Sequence, residues 1–327
     1  MPQNAAERPE PTVQRKAAIA YAGARDHKGK VEVKPIPNFD LDRTIFQTLQ
    51  SPAARYIMRH RVGKDVSWHR GASEEVQAAY ERVTADLQLP TVPEALATFL
   101  VEECDFDVEH ADGSFLDHLY FCFEYTAKYY PTGSPMVALL HSILGTGTNT
   151  FAMEAKKIPQ LEALLDTSDF LQIAAFPTIL RLLYSGELRE ELRRNIGRPL
   201  KEISMHRVID NEPLTMTGEQ FWEAMNYQLI HLVDFMPVAN WSAHRNDTSY
   251  ILFRQVFDLM DRAGTIEARV VYRDPAEGPT LLGETPSMGS WLATKIPVTL
   301  SAKMSARSVQ RFSEMCGHSL DYRTTWG

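Results

Sequence analysis

The chain predicts an all-α fold, a bundle of helices with a small irregular extension at its C-terminal end. Three observations carry that expectation. Apolar residues recur at intervals of three and four through most of residues 40–262, the period of a helix with one buried face. Proline and glycine mostly fall between these periodic runs, where they punctuate helices. The 44 % hydrophobic and 23 % charged content is that of a globular chain, and 327 residues suffice to bury a substantial core. The expected division is an N-terminal arm at 1–38, a helical domain at 39–262 and a C-terminal extension at 263–327.

Residues 1–38 are polar, rich in Pro, Lys and Ala, and end in Lys34-Pro35-Ile36-Pro37-Asn38. They read as a loose arm with room for one short helix near Gln14 to Ala24. Leu41, Ile45, Leu49, Tyr56 and Ile57 then fall at helical spacing, and Ser51-Pro52 breaks the run and starts a second helix. His60 to Ala72 reads as a loop. Ser73 caps a helix reaching about Leu87, and Pro90 and Pro93 separate it from another over Pro93 to Glu103.

The segment Glu109 to Thr150 organises the rest. A helix over Ser114 to Lys128 carries Leu116, Leu119, Tyr120 and Phe123 on one face, with His118 close to that face. Pro131-Thr132-Gly133 turns the chain, and Ser134 caps a second helix with Pro135 in its first turn. This second helix is apolar on nearly all sides through Leu144, so it belongs inside the bundle and His141 should be buried. Two histidines on neighbouring helices can face one another, which is how a helical bundle builds a metal or ligand pocket. The polar loop Gly145 to Asn149 ends the helix. It lacks the Lys of a phosphate loop and follows a helix, so no nucleotide cofactor is expected.

Beyond it, Ile158 to Leu165 and Asp169 to Tyr184 read as helices, the latter with a kink or break at Pro177. Leu188 to Ile196 is a charged outer helix. Thr217-Gly218-Glu219-Gln220 comes close to a capping box and opens a helix to Phe235; Pro237 interrupts, and Val238 to Met260 continues helical. Past residue 265 the pattern changes. Ile266 to Tyr272 alternates like a strand, and Gly and Pro cluster between Pro275 and Gly289.

Composition narrows the function. A net charge of −8 argues against a nucleic-acid partner, which needs a basic face. No run approaches the roughly 18 apolar residues of a membrane span, and the first residues lack the apolar core of a signal peptide. The expectation is a cytoplasmic protein with no membrane partner, binding a small molecule, with the terminal extensions as the segments through which copies would associate. Cys104, Cys122 and Cys316 share no short spacing and read as buried thiols.

Several strings resemble the HD-domain superfamily of all-helical metalloproteins. Glu109-His110, then Gly113 to Leu119, Leu139-Leu140-His141-Ser142-Ile143-Leu144-Gly145-Thr146 and Pro237-Val238-Ala239-Asn240-Trp241 are similar to a little-studied branch of it. That branch has a His-Ser-x-x-Gly-Thr string in place of His-Asp. The resemblance implies an HD-like bundle with a metal site at His118 and His141, and with Ser142 and Asn240 where aspartates are usual. Without those carboxylates a two-metal hydrolase is disfavoured. A His-rich site suits Fe²⁺, Zn²⁺ or Ni²⁺, which accept imidazole.

A third ligand is needed, and His110, His206, His231, Asp234 and His244 are on offer. His118, His141, His110 and His244 form the expected ligand set. Ser142, Gly145, Thr146, Asn240, Tyr120 and Asp234 are expected to line the pocket. Asn240 and His244 are spaced i, i+4 and share a helix face, and His231 and Asp234, spaced i, i+3, share another. The implied function is a small-molecule enzyme with a nonstandard metal site, in the manner of the superfamily's iron-dependent oxygenases. The alternative is a metal-free binding or assembly protein that kept the pocket.

Overall fold

The computed structural model describes residues 15–16, 19–20, 51–53, 55–56, 72–103, 116–147, 153–234, 246–270 and 288–327. It describes the backbone alone at 32–33, 66–68, 109–110, 113–115 and 282–284, and at 72–73, 75, 101, 103 and 289–290 within those ranges. Eleven helices run through these residues. They are α1 (Ala72–Thr84), α2 (Glu94–Glu103), α3 (Phe115–Tyr129), α4 (Pro135–Leu140), α5 (Ile158–Ala163), α6 (Thr167–Ser185), α7 (Glu187–Arg194), α8 (Gly218–Val233), α9 (Thr248–Ala263), α10 (Met288–Thr294) and α11 (Val298–Met315). The strands are short: β1 (Glu32–Val33), β2 (Val66–Trp68), β3 (Glu109–His110), β4 (Gly113–Ser114), β5 (Leu200–His206), β6 (Pro213–Thr217), β7 (Leu282–Glu284) and β8 (Arg323–Trp326). The mostly helical expectation holds, with a small β component.

The core forms where the helical stripes meet. The apolar face of α3 packs on α4, α8 closes over both, and α6 packs on α4 and α8. Pro177 lies inside α6 without ending it. A proline frees the carbonyl four residues before it and crowds the preceding turn, yet α6 runs on to Ser185, and Gln228 of α8 donates to the adjacent Phe176 O at 3.0 Å.

α8 begins as its sequence requires. Thr217 Oγ1 accepts from Gln220 N, and Gln220 Oε1 accepts from Thr217 N at 2.9 Å, a complete capping box. The next residue is glycine because a Cβ at Gly218 would collide with Leu200 O of β5.

Several expectations are corrected. α4 stops at Leu140, so His141 is its C-cap and not a residue within a longer helix. The chain from there tightens into three-residue turns, with Ile143 N on Leu140 O at 2.9 Å and Gly145 N on Ser142 O at 3.1 Å. The helix expected from Val238 begins instead at Thr248, where Asp247 Oδ1 accepts from Ser249 N and Tyr250 N; residues 235–245 lie outside those described. The loop at His60 to Ala72 contains β2, which pairs with β1 and β7.

The strand expected at Ile266 is absent over 265–270. Its amides go elsewhere: Glu267 N and Ala268 N both donate to Asn226 Oδ1 at 2.9 Å, and Arg269 N donates to Tyr129 O at 2.7 Å. β structure lies instead in the hairpin β5–β6, to which β8 adds antiparallel on the other edge of β5. Past residue 288 the tail is mainly helical, as α10 and α11.

No helix of the described residues is long and apolar enough to cross a membrane. The terminal segments join the same core. Ile19 is buried in it, and Leu320, Tyr322 and Trp326 pack against it. Arg15, Lys16, Ile19 and Ala20, within the expected loose arm, are helical and buried.

Candidate metal centre

α3, α4 and α8 each bring one imidazole to a common point. His118 projects from the middle of α3, His141 from the C-terminal end of α4, and His231 from the last turn of α8. Their side chains are 0 %, 1 % and 9 % exposed. His118 Nε2 lies 3.2 Å from His141 Nε2 and 3.1 Å from His231 Nδ1, and His231 Nδ1 lies 3.1 Å from His141 Nε2. The three nitrogens form a nearly equilateral triangle.

Two of the three tautomers follow from the remaining ring atoms. His118 Nδ1 sits 2.7 Å from Asp234 Oδ2, and His141 Nδ1 sits 2.6 Å from Ala138 O. A carboxylate and a carbonyl only accept, so both Nδ1 atoms carry the proton. When the two rings are neutral, each Nε2 is a lone pair, and the two face one another with His231 Nδ1 beside them. A proton can bridge one pair of such acceptors but not all three. A cation within reach of the whole triangle satisfies them together.

The dimensions agree. With metal–nitrogen bonds near 2.1 Å, edges of this length correspond to nitrogen–metal–nitrogen angles of about 95–100°, between octahedral and tetrahedral values. The triangle caps one face of such an ion and leaves the opposite face for other ligands.

Cys122 is the nearest further donor. It lies one helical turn after His118, with Sγ 4.0 Å from His118 Nε2, and all four donor atoms lie within 4.8 Å of one another. Sulfur and nitrogen on one tetrahedral zinc would stand about 3.6 Å apart, so a small side-chain shift would bring the thiol onto the ion. Burial, reinforced by the Asp234 carboxylate and opposed by Arg15, pushes the Cys122 thiol well above its ordinary value. An apolar wall completes the setting: the Phe176 ring stands edge-on, 4.6 Å from the His141 ring and 5.4 Å from that of His231.

Behind the ligands lies a charged layer. Asp234, which caps α8, orients His118 as a carboxylate orients a metal-bound histidine. Arg15 reaches the same Asp234 Oδ2 at 3.3 Å and Asp117 Oδ2 at 3.2 Å.

Of the expected ligands, His118 and His141 converge. His244 and Asn240 lie outside the described residues, and of His110 only the backbone, in β3, is described. His206 ends β5, away from the triangle, where its carbonyl accepts from Thr178 and His318. Asp234 stands behind His118 and is not one of the converging donors. Tyr120 packs edge-on against Phe123 at 6.1 Å. Ser142 is buried, and its Oγ has no hydrogen-bond partner among the described residues. Gly145 takes a left-handed φ of 127°, and Thr146 O accepts from Arg181 Nε at 3.0 Å, which anchors this loop to α6.

The sequence reading did not single out Cys122 or Arg15. The i, i+4 spacing of His118 and Cys122 is a signal that points to Cys122; nothing local to residue 15 signals its role. Comparison of the chain with protein-family models, with characterised proteins and with solved structures gives no match.

Proposed function

We propose that the chain is a metal-dependent enzyme for a small organic molecule, with its reaction at one divalent ion held by His118, His141 and His231. One observation carries this reading: three imidazole nitrogens stand 3.1–3.2 Å apart in the core, two of them with their protons fixed on the far side of the ring. Neutral nitrogen donors suit Fe²⁺, Zn²⁺ or Ni²⁺ rather than a hard cation, which asks for oxygen. Asp234 faces away from the ion, so the ligand ring lacks the carboxylate that two-metal hydrolases use as a bridge. Iron supporting an oxygen-dependent reaction is the leading form, and the resemblance of the His118 and His141 strings to the HD-domain superfamily supports it.

In such a site the metal supplies Lewis-acid or oxygen-binding chemistry. The chain does the rest. Asp234 and Ala138 O hold two rings with their lone pairs inward, Phe176 excludes water from one side, and Cys122 stands beside the donors.

The test is elemental analysis of the purified chain together with His118→Ala, His141→Ala and His231→Ala. About one equivalent of iron, zinc or nickel, lost in each variant while the helical circular dichroism persists, is the expected result. Dioxygen uptake by the iron-loaded chain over a panel of small organic substrates then tests the oxygenase form. A chain that stays metal-free and folded after incubation with all three ions sinks the enzyme reading and leaves a metal-free binding or assembly protein.

A further inference from the structure

A fully buried charged side chain comes from the segment that the sequence marks as an appendage. Arg15 is 0 % exposed, and its guanidinium spans two buried carboxylates, Asp117 at 3.2 Å and Asp234 at 3.3 Å. Those two are not arbitrary. Asp117 is the chain neighbour of His118. Asp234 Oδ2, the atom that Arg15 reaches, is the atom that accepts the His118 Nδ1 proton.

The segment is also fixed just beyond Arg15. Lys16 Nζ donates to Gln77 Oε1 of α1 at 2.8 Å, Tyr129 OH of α3 donates to Ile19 O at 3.2 Å, and Ile19 is itself fully buried. We infer that Arg15 is a positioning residue of the metal centre. Through Asp117 and Asp234 it holds the His118 ring at the angle that aims Nε2 at the ion, and the N-terminal segment is thereby a structural part of the site. The inference rests on the metal reading above.

Two physical effects of Arg15 have opposite signs, and this makes the claim testable. As a buried positive charge near a cation, Arg15 by Coulomb repulsion alone weakens metal binding, so its removal would tighten it. As the clamp on the carboxylate behind a ligand, it strengthens binding, and loss of such a partner costs on the order of 10–100-fold in metal affinity. The two buried carboxylates also stay together at low cost only with a cation between them. Positioning is the effect that the shared Oδ2 geometry favours.

The experiment is Co²⁺ and Zn²⁺ binding by the full chain, read by chelator competition and by the visible ligand-field bands of the cobalt form. Arg15→Ala should lower affinity by about 10–100-fold and alter the cobalt bands. Arg15→Lys should recover much of both, because an ammonium can still reach one carboxylate. Ile19→Ala loosens the same segment without touching Asp117 or Asp234, so it should reduce stability and leave the cobalt bands as they are. Unchanged or tightened binding in Arg15→Ala overturns the inference while leaving the centre intact. Identical losses in Ile19→Ala and Arg15→Ala overturn it too, since only general packing would then be at work. A wild-type chain that takes up neither ion overturns the centre itself, and this inference with it.

Discussion

At the residue scale, what sets this protein apart is that its buried histidines are oriented as well as placed. A core histidine with one backbone bond is an ordinary packing solution. Here the far nitrogens of His118 and His141 are both occupied by acceptors, and the near nitrogens meet one another and His231 Nδ1 at 3.1–3.2 Å. Asp234→Asn tests the orientation directly. The amide keeps the size of the carboxylate and loses the charge that holds the His118 Nδ1 proton, so metal affinity should fall by about 10–100-fold in a chelator competition, with little change in helix content; wild-type affinity would remove Asp234 from the site. Much at this scale was legible. The pairing of His118 with His141 followed from helix period and turn chemistry alone, and the i, i+3 spacing of His231 and Asp234 put both among the candidates. The preference for His110 came from a string that resembles a family, and that for His244 from its i, i+4 spacing with Asn240; the described side chains complete the triangle with His231 instead. Arg15 lay beyond sequence reasoning, since which distant cation meets two buried aspartates depends on tertiary packing.

At the element scale the helices were readable and the strands were not, for a physical reason. A helix is specified within its own 15 or so residues by period, cap and breaker. The capping box at Thr217 and the proline-led start of α4 could be read this way. The three-stranded sheet draws β8 from more than a hundred residues beyond β6, and its strands of four to seven residues carry too short an alternation to stand out. The strand expected at Ile266 failed because Asn226, from the middle of α8, captures its amides. That side chain makes four bonds, donating to Trp222 O and Thr265 O and accepting from Glu267 N and Ala268 N. Asn226→Leu would keep the branched shape and leave the buried Ala268 N and the part-buried Glu267 N without that acceptor. The expected cost is about 2–4 kcal/mol of unfolding free energy in urea; a loss under 0.5 kcal/mol, the range of a surface change, would show that the amide bonds are dispensable.

At the scale of the whole molecule, β8 and α11 bind the C-terminal segment to the same core that holds the centre. Their junction contains a buried neutral histidine. His318 donates from Nε2 to His206 O, and its Nδ1 accepts from Arg181. Burial, with the Arg181 charge adding to it, depresses its pKa from 6.5 to about 4. The unfolded chain therefore binds a proton between these values that the folded chain refuses. Stability should be complete above about pH 6.5 and decline as pH falls toward 4, by on the order of 3 kcal/mol from this residue. His318→Gln should flatten that part of the profile in urea titrations at pH 7, 5.5 and 4, and parallel wild-type and variant curves would contradict the assignment. The proposed centre stands or falls on whether three ring nitrogens share one ion. X-ray absorption on the zinc- or iron-loaded chain measures that most directly. The predicted result is a first shell containing three imidazole nitrogens near 2.1 Å, reduced in His231→Ala. A shell of oxygen alone, or one unchanged when His118, His141 and His231 are all replaced, would contradict it.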